Sequence, residues 1–442
     1  MTRKQLHIKL MSISILLVSI YSVTQFPAPR LNIITYFQNT TMWWLIIALI
    51  FYVFLSYNYS YIKRKDKDFS VVQLYLIWNV LSIFRGFFIA DTYWDWKGLI
   101  GNGIGLLLPI VAVTANDKMV LQTLLSFYVK YALPLFLLMA LIISYDAYGF
   151  YLVPISFFML FFPVLTNPWR WVVGVLTFLV MTIDLGARSN VIKFGFPAFV
   201  MLIYYMRHYI TVKYYEIVRL ILIVIPVVLF SLAVSGLFNV FEMDNYVKGD
   251  YQAVERDENG NIVEDNLKND TRSFLYTEVL YSAKVFNSWL IGRSPARGNL
   301  SVAFGDGDEN GRGERLGNEV AILNVFTWTG IIGVVLYLIV FYRASYIAIH
   351  HSNNIYSKML GLSVAFRWAY AWVEDINYFS LTYLFLWLTI GLCFSKSFRS
   401  MSDNEVKHWA RGIFNIYNNK LSRKKIQEIR MKNAQKELSG NT

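Results

Sequence analysis

Apolar runs of about twenty residues recur along this chain, and short polar connections separate them. An α-helix needs about 20 consecutive apolar residues to cross the hydrocarbon core of a bilayer. The composition agrees with such a use, because 56% of the 442 residues are hydrophobic and only 16% are charged. Soluble domains carry roughly 25% charged residues. The sequence therefore predicts an all-α polytopic membrane protein.

The apolar pattern predicts about twelve transmembrane helices. We place nine of them in a membrane domain of residues 1–237 and three in a second membrane domain of residues 319–395. A large hydrophilic loop of residues 238–318 separates the two. A basic tail of residues 396–442 follows, with a helix expected near Lys420–Lys436. The predicted spans lie at about 10–26, 41–60, 70–90, 98–115, 120–143, 150–166, 171–184, 191–206, 220–237, 319–342, 358–374 and 378–395.

The distribution of Lys and Arg predicts the orientation of the chain. Twelve spans put both termini on one side, and the loops of that side carry most of the basic residues. The short loops of the other side hold only Arg30, Lys97 and Arg188. Basic residues favour the cytoplasmic side, so we expect cytoplasmic termini and an external loop. The net charge of +12 is therefore a topology signal, and we expect no nucleic-acid partner. The first apolar run lacks a small-residue cleavage site, which favours a retained span.

The large loop contains two signals of local structure. Asn259-Gly260 stands between short alternating runs, which predicts a β-hairpin. Apolar residues at helical spacing predict one helix over residues 271–291, begun by Asp270 or Thr271 and ended by Gly292. We expect the Gly-, Asp- and Arg-rich residues 292–317 to be mobile. Asp306-Gly-Asp308 resembles the start of a calcium loop, but the position that needs an acid is Gly317. We therefore expect no metal and no cofactor.

Charged residues at the ends of the apolar spans are the candidates for chemistry. Arg188 begins a middle span, Arg272 lies in the first turn of the loop helix, and Glu319 begins the span after the loop. Each has a simpler interpretation. Arg188 could extend to lipid headgroups, Arg272 could be a solvated charge, and Glu319 could only cap its helix. The functional alternative for Arg272 is anion binding together with the free N–H groups of the helix start.

Other charged residues divide into two groups. Arg293, Arg297, Arg312 and Arg315 in the loop are typical of solvated charges. Residues inside or at the ends of apolar spans are functional candidates by default; they are Arg85, Lys130, Arg367, Glu374 and Asp375. Among these, Arg85 or Arg367 could pair with an acid and hold two helices together.

Three motifs together resemble the O-antigen polymerase and O-antigen ligase superfamily of bacterial inner-membrane glycosyltransferases. The first is Gly186-Ala-Arg188-Ser189. The second is Arg272 at the start of the loop helix, followed by Leu290-Ile-Gly292-Arg293. The third is Asn318-Glu319-Val-Ala-Ile-Leu323, followed by Gly330-Ile-Ile-Gly333. The resemblance covers roughly residues 170–345, and the remaining spans are similar only in topology.

The resemblance implies a glycosyltransferase that polymerises lipid-diphosphate-linked oligosaccharide repeat units at the periplasmic face of a bacterial inner membrane. Its implied partners are an undecaprenyl-diphosphate-linked oligosaccharide and the lipid bilayer, with a chain-length regulator and a flippase as further partners. An O-antigen ligase is the alternative within the superfamily. Ligases look like they carry a histidine where this chain has Glu319, which favours the polymerase. A flippase is the alternative of another class, but paired halves with broken helices, which transporters often have, are not evident in the sequence.

Residue roles follow from the implied reaction. Arginine forks bind phosphate oxygens in pairs, so Arg188 and Arg272 would hold the diphosphate. Glu319 would accept the proton of the acceptor hydroxyl. The substrate-binding candidates are Arg293, Arg297, Arg315, Asn318, Glu374 and Asp375.

Reporter fusions test the predicted topology. A reporter that is active only outside the cytoplasm should be active when fused after Gly260 and inactive when fused after Lys396, because the loop and the tail are predicted on opposite sides. The reverse pattern would put the loop in the cytoplasm and would contradict the proposed orientation.

Overall fold

The structure is a computed structural model, and it describes residues 3–24, 26, 40–62, 68–184, 187–242, 252–256, 262–266, 272–301 and 312–415. The expected tail helix near Lys420–Lys436, the caps Asp270 and Thr271, and the calcium-like stretch around Asp306 lie outside these residues. The described chain is mostly helical, as predicted.

The helices follow the apolar runs of the sequence. They are α1 (Arg3–Tyr21), α2 (Thr40–Ile62), α3 (Ser70–Gly86), α4 (Tyr93–Leu107), α5 (Lys118–Phe127), α6 (Leu133–Met139), α7 (Tyr148–Tyr151), α8 (Val153–Met159), α9 (Asn167–Thr182), α10 (Arg188–Tyr205), α11 (Val212–Val234), α12 (Ser273–Val285), α13 (Ala321–His350), α14 (Ile355–Tyr370), α15 (Leu381–Phe394), α16 (Lys396–Arg399) and α17 (Asp403–Phe414). Helix α4 continues as a 3-10 segment, Leu108–Asn116, and a π-helical turn, Tyr128–Ala132, joins α5 to α6.

Five helical stretches of the described chain are long and apolar enough to cross a membrane. They are Thr41–Tyr59, Tyr93–Asn116, Lys118–Met139, Val212–Val234 and Ala321–His350. Large apolar side chains on the outside of the bundle, such as Leu45 and Phe178, are exposed, and a lipid environment would solvate them. The count of twelve spans stays a prediction. The sixth predicted span, 150–166, is divided into short helical segments, and Pro154 and Pro163 each lie in the first turn of one of them.

The centre of the bundle is α15, whose residues are all buried. It packs against the 3-10 segment that follows α4 so closely that a Cβ on Gly391 would lie 2.0 Å from the carbonyl oxygen of Ala112. Rings from four segments meet beside it. Tyr75 of α3 contacts Tyr337 of α13 and Trp387 of α15, and Tyr337 contacts Trp368 of α14. These contacts join both halves of the chain into one core.

The predicted hairpin is confirmed. Strands β1 (Gln252–Arg256) and β2 (Ile262–Asn266) pair antiparallel, with Gln252 opposite Asn266 and Arg256 opposite Ile262. The turn residues between them lie outside the described part of the chain. A second antiparallel pair, β3 (Asn299–Leu300) and β4 (Glu314–Arg315), brings Asn299 opposite Arg315.

The predicted loop helix is shorter than expected. It ends at Val285 rather than near residue 291, because Asn287 has a φ of 48° and the Ser288 N–H donates to the carbonyl of Ala283. That pattern closes a helix in the way a glycine commonly does. The residues that follow are anchored where the structure describes them, so the expected mobility is wrong for 292–301 and 312–317. Arg85 of α3 donates to the carbonyls of Ile291 and Gly292 at 2.6 and 3.0 Å. Arg85, which with Arg367 was a candidate to pair with an acid, therefore holds this segment through carbonyl groups, and no ion pair joins it to an acid among the described residues.

Helix α13 is bent at Gly330, where φ is 70° and ψ is −172°. The break frees backbone groups on both sides of the glycine. The N–H of Ile331 donates to the carbonyl of Trp289, and the N–H of Arg293 donates to the carbonyl of Thr327. Segment 289–294 therefore lies directly against the helix, and a Cβ on Gly330 would be 2.2 Å from the carbonyl oxygen of Leu290. Only glycine readily adopts this backbone conformation.

Substitution of Gly330 tests this close approach. Gly330→Ala should destabilise the protein by more than the roughly 1–3 kcal/mol of a strained backbone alone, because the added methyl also meets Leu290. The measurement is the thermal midpoint of the purified protein in detergent. Gly101→Ala in α4 is the matched control, since an added methyl there meets no atom within 4 Å. Equal midpoints for both variants would contradict the bend.

Candidate active site

Two arginines share one carboxylate at the end of the bundle where α13 begins and α14 ends. Arg272 Nη1 lies 2.5 Å from Glu319 Oε2, and Arg315 Nη2 lies 3.0 Å from Glu319 Oε1. The Glu319 side chain is 51% exposed, whereas those of Arg272 and Arg315 are 22% and 20% exposed. We call Arg272, Arg315 and Glu319 the arginine–glutamate cluster. Its carboxylate is accessible from solvent, and its two guanidinium groups are partly covered.

Each member of the cluster is positioned by a different element. Arg272 is the residue before α12, and its Nε donates to the carbonyl of Val373 at 3.3 Å. The pairing of β3 with β4 positions Arg315. Glu319 lies two residues before α13. Arg272 comes from 47 residues before Glu319, whereas Arg315 lies only four residues before it.

Glu319 does not cap α13. The N-cap is Val320, without a side-chain bond, and the first N–H groups of the helix are satisfied elsewhere. The Ala321 N–H donates to the carbonyl of Glu374, and the Ile322 N–H donates to that of Ala371. The interpretation of Glu319 as a simple helix cap is therefore wrong, because the helix start binds the α14–α15 connection.

A buried asparagine clip orients the residues around Glu319. The Asn318 N–H donates to Asn324 Oδ1 at 2.6 Å, and Asn324 Nδ2 donates back to the Asn318 carbonyl at 2.8 Å. Asn377 Nδ2 donates to the carbonyl of Ala321 at 3.0 Å. Asn318 was predicted to bind substrate, but it is only 4% exposed and acts through its backbone. Through these contacts, Asn318 positions the neighbouring Glu319.

Two more carboxylates lie beside the cluster, on the α14–α15 connection. Burial raises the pKa of Glu374, helped by Glu319, while Lys193 and Arg272 oppose the rise. Burial also raises the pKa of Asp375 from 3.8 to about 7, although the Asn377 N–H bonds to the carboxylate. Both residues were among the predicted substrate-binding candidates. Their electrostatic coupling to Glu319 brings them to the same site.

Lys193 is a site residue that the sequence interpretation missed. It is 1% exposed in α10, with its Nζ 4.2 Å from the centre of the Phe150 ring. It interacts electrostatically with Glu374, Arg367 and Asp146. A lysine inside a predicted span was the available signal, because a charge in that position is a functional candidate.

Arg188 stands apart from the cluster. It is the first residue of α10 and is exposed. Its neighbour Ser189 accepts a hydrogen bond from the Tyr370 hydroxyl, so this helix start lies at the same end of the bundle. Among the described residues, however, the ion pairs of Glu319 are with Arg272 and Arg315, and Arg188 is not one of them. Its role with the diphosphate stays a prediction.

The other loop arginines are ion-paired, so the expectation of solvated charges is wrong. Arg293 lies 2.7 Å from Glu314 and stacks on the Phe286 ring. Arg297 pairs with Asp91 at 2.9 Å. Arg312 lies 3.1 Å from Asp95, whose side chain is fully buried. These contacts fasten the loop to α4 and to itself, and substrate binding by Arg293 and Arg297 stays a prediction.

An apolar cleft of about 250 Å³ opens beside Arg272. Its wall is formed by the second half of α11, the start of α12 and the end of α14; it includes Pro226, Phe230, Phe241, Ser273, Tyr276 and Trp372. The Tyr276 hydroxyl donates to the carbonyl of Trp372 and closes one side. Val373, which also lines the cleft, accepts the hydrogen bond of Arg272. The cleft and the cluster therefore share a border.

No protein-family model, curated protein or solved structure matches this chain. The long apolar helices are consistent with a membrane protein. In the part of the chain that the structure describes, no group of three or more His, Cys, Asp or Glu residues is arranged to hold a metal ion.

The protonation of Asp375 makes stability depend on pH. The folded protein keeps a proton that the unfolded chain releases between pH 3.8 and about 7. This contribution to stability is complete below the ordinary pKa and is lost as the pH rises through about 7. Asp375→Asn cannot ionise, so it should raise the thermal midpoint at pH 8 by on the order of a few degrees and raise it clearly less at pH 5, where only part of the contribution has been lost.

The control for this prediction is Asp91→Asn, since the Asp91 side chain is 68% exposed. It should not reduce the fall in the midpoint between pH 5 and pH 8. If the thermal midpoint of Asp375→Asn falls between pH 5 and pH 8 as much as that of the wild type, groups other than Asp375 cause the fall.

Proposed function

We propose that this protein is a membrane glycosyltransferase that polymerises lipid-diphosphate-linked oligosaccharide repeat units at the outer face of a bacterial inner membrane. One observation carries the proposal: two guanidinium groups converge on a single exposed carboxylate at the edge of an apolar cleft. A lipid diphosphate fits both features, because its anionic head suits the guanidinium groups and its apolar tail suits the cleft.

The arginines match the head of such a donor. Guanidinium groups stay charged at all relevant pH values and can bind phosphate oxygens bidentately. In the arginine–glutamate cluster, the carboxylate oxygens of Glu319 stand in for the oxygens of an anionic ligand. Since Glu319 is half-exposed, a diphosphate can take its place without opening the core. Exchange of one anion for another keeps the arginines paired before and after binding.

The apolar cleft matches the first part of the lipid tail. It borders Arg272 through Ser273 and Val373 and follows α11, a helix apolar enough to cross a membrane. A diphosphate held by Arg272 would therefore have its lipid chain beside the cleft. The lipid bilayer would take the remainder of the chain.

The reaction needs one bond to form and one to break. The acceptor hydroxyl oxygen bonds to the anomeric carbon of the donor, and the bond from that carbon to the diphosphate oxygen breaks. The lipid diphosphate leaves with the electron pair, and Arg272 and Arg315 stabilise the charge that develops on it. The hydroxyl proton goes to a carboxylate. This site offers two: Glu319, once the diphosphate has displaced it from the arginines, and Glu374, whose pKa is raised by burial.

Complementation of a deletion strain tests the function. The wild-type chain should restore a ladder of polymer lengths, and the strain without it should carry a single repeat unit on its lipid core. Arg272→Ala and Arg315→Ala should each reduce polymer formation by about 10²–10³-fold, the loss typical of one preorganised donor. Arg272→Lys should also fail, because an ammonium group lacks the planar fork. Lys284→Ala is the matched control, an exposed basic residue on α12.

Variants of the carboxylates distinguish the two bases in the same assay. If Glu319 takes the proton, Glu319→Gln should lose about 10²–10⁴-fold in rate, and Glu374→Gln should retain more activity. The opposite order would assign the base to Glu374. A bare lipid core with polymer accumulating on the lipid carrier would instead identify a ligase. A full ladder from Arg272→Ala at normal protein level would contradict the proposed role of the cluster.

A further inference from the structure

A second cavity lies on the opposite side of α14 from the apolar cleft. Its lining comes from α8, α10, α14 and α15 and is partly apolar, with Pro197 from α10; its polar residues are Ser156, Ser363, Arg367, Thr382 and Thr389. Arg367 and Ser363 face this cavity, whereas Ala369 on the other side of the helix lines the apolar cleft. The Arg367 cavity is therefore separate from the site proposed for the lipid diphosphate.

Two hydrogen-bond donors in the Arg367 cavity have no acceptor. Arg367 Nη1 and Thr382 Oγ1 are inaccessible to solvent and lack a hydrogen-bond partner within the described chain. Thr382 is 5% exposed. A guanidinium group only donates, and a hydroxyl can donate to a neighbouring acceptor. Both groups therefore need a ligand that accepts hydrogen bonds.

The charge balance around Arg367 favours an anion over water. No ion pair joins Arg367 to an acidic side chain among the described residues, and its nearest ring contact is Tyr370 at 5.8 Å. The neighbouring Lys193 interacts with the acids Glu374 and Asp146, so these acids compensate the charge of Lys193 and leave that of Arg367. A water molecule could accept the hydrogen bonds, but it would leave the charge of this partly buried guanidinium group without compensation, which is costly inside an apolar bundle.

The size of the Arg367 cavity limits the ligand. Its volume is about 20 Å³, and a single water needs about 10–15 Å³ on the same scale. A halide ion is only slightly larger than water, whereas phosphate or a carboxylate-bearing sugar is too large. We propose that a monovalent inorganic anion, chloride in a cell, binds in the Arg367 cavity and joins α14 to α15.

Thermal unfolding of the purified full-length protein in detergent tests the anion site. Sodium chloride is exchanged for sodium gluconate at constant ionic strength, since gluconate cannot enter the cavity. The wild-type midpoint should rise with the logarithm of chloride concentration, as expected for a ligand that binds only the folded state. Bromide should act like chloride, and phosphate should give no comparable rise.

Substitutions locate the effect. Arg367→Gln should abolish the chloride dependence, and Thr382→Val, which removes the hydroxyl at nearly constant shape, should require about tenfold or more chloride for the same rise. Arg343→Gln is the matched control, because its side chain is 47% exposed and does not line the cavity; it should respond like the wild type. If Arg367→Gln does not fold, the chloride dependence of the Thr382→Val midpoint tests the proposal alone.

Equal wild-type midpoints in chloride and gluconate would overturn the proposal and leave water in the cavity. An unchanged chloride response in Thr382→Val or in a folded Arg367→Gln would also overturn it, because the anion would then act elsewhere. A phosphate response as large as that of chloride would contradict the size limit. None of these outcomes depends on glycosyltransferase activity, so the two proposals can fail separately.

Discussion

The first turn of α13 bonds to the α14–α15 connection, and the candidate site depends on this contact. A helix start has N–H groups without partners inside the helix. Here Ala321 and Ile322 donate theirs to the carbonyls of Glu374 and Ala371. The clip of Asn318, Asn324 and Asn377 holds the same junction from the buried side. Because these groups are satisfied by the protein, Glu319 is free to face the arginines.

Several other arginines of the described chain are held by the chain itself. Arg297 and Arg312 bind Asp91 and Asp95 at the start of α4, and Arg85 binds two carbonyls after α12. Such pairs attach the large loop to the bundle. The arginine–glutamate cluster differs, because its carboxylate is half-exposed and another anion can replace it. This difference separates arginines that hold the fold from those proposed to hold a substrate.

The sequence predicted the parts of the fold that local pattern controls. Apolar runs predicted the helices, and Asn259-Gly260 predicted the hairpin of β1 and β2. Spacing could not reveal where α12 stops, because Asn287 ends it in a left-handed conformation that several residue types avoid. The division of residues 150–166 into short helices was signalled by prolines that the hydropathy of the run concealed.

The candidate site was predictable only in part, for reasons of distance along the chain. Arg272 and Glu319 stood out from the resemblance and their places at helix starts. Arg315 was among the predicted candidates and lies only four residues before Glu319, but the pairing of β3 with β4 that positions it was not signalled by any local pattern. Lys193 and Glu374 are coupled through the packing of α10 near the α14–α15 connection. Their separation of well over a hundred residues in sequence hides this coupling.

A structure of the protein in a lipid nanodisc with a non-transferable lipid-diphosphate donor analogue would test the central claim most directly. The account predicts diphosphate oxygens within hydrogen-bond distance of Arg272 and Arg315, Glu319 displaced from both arginines, and the first part of the lipid chain in the cleft between α11, α12 and α14. A bound analogue that leaves Glu319 paired with Arg272 and Arg315, with its diphosphate elsewhere, would contradict the account.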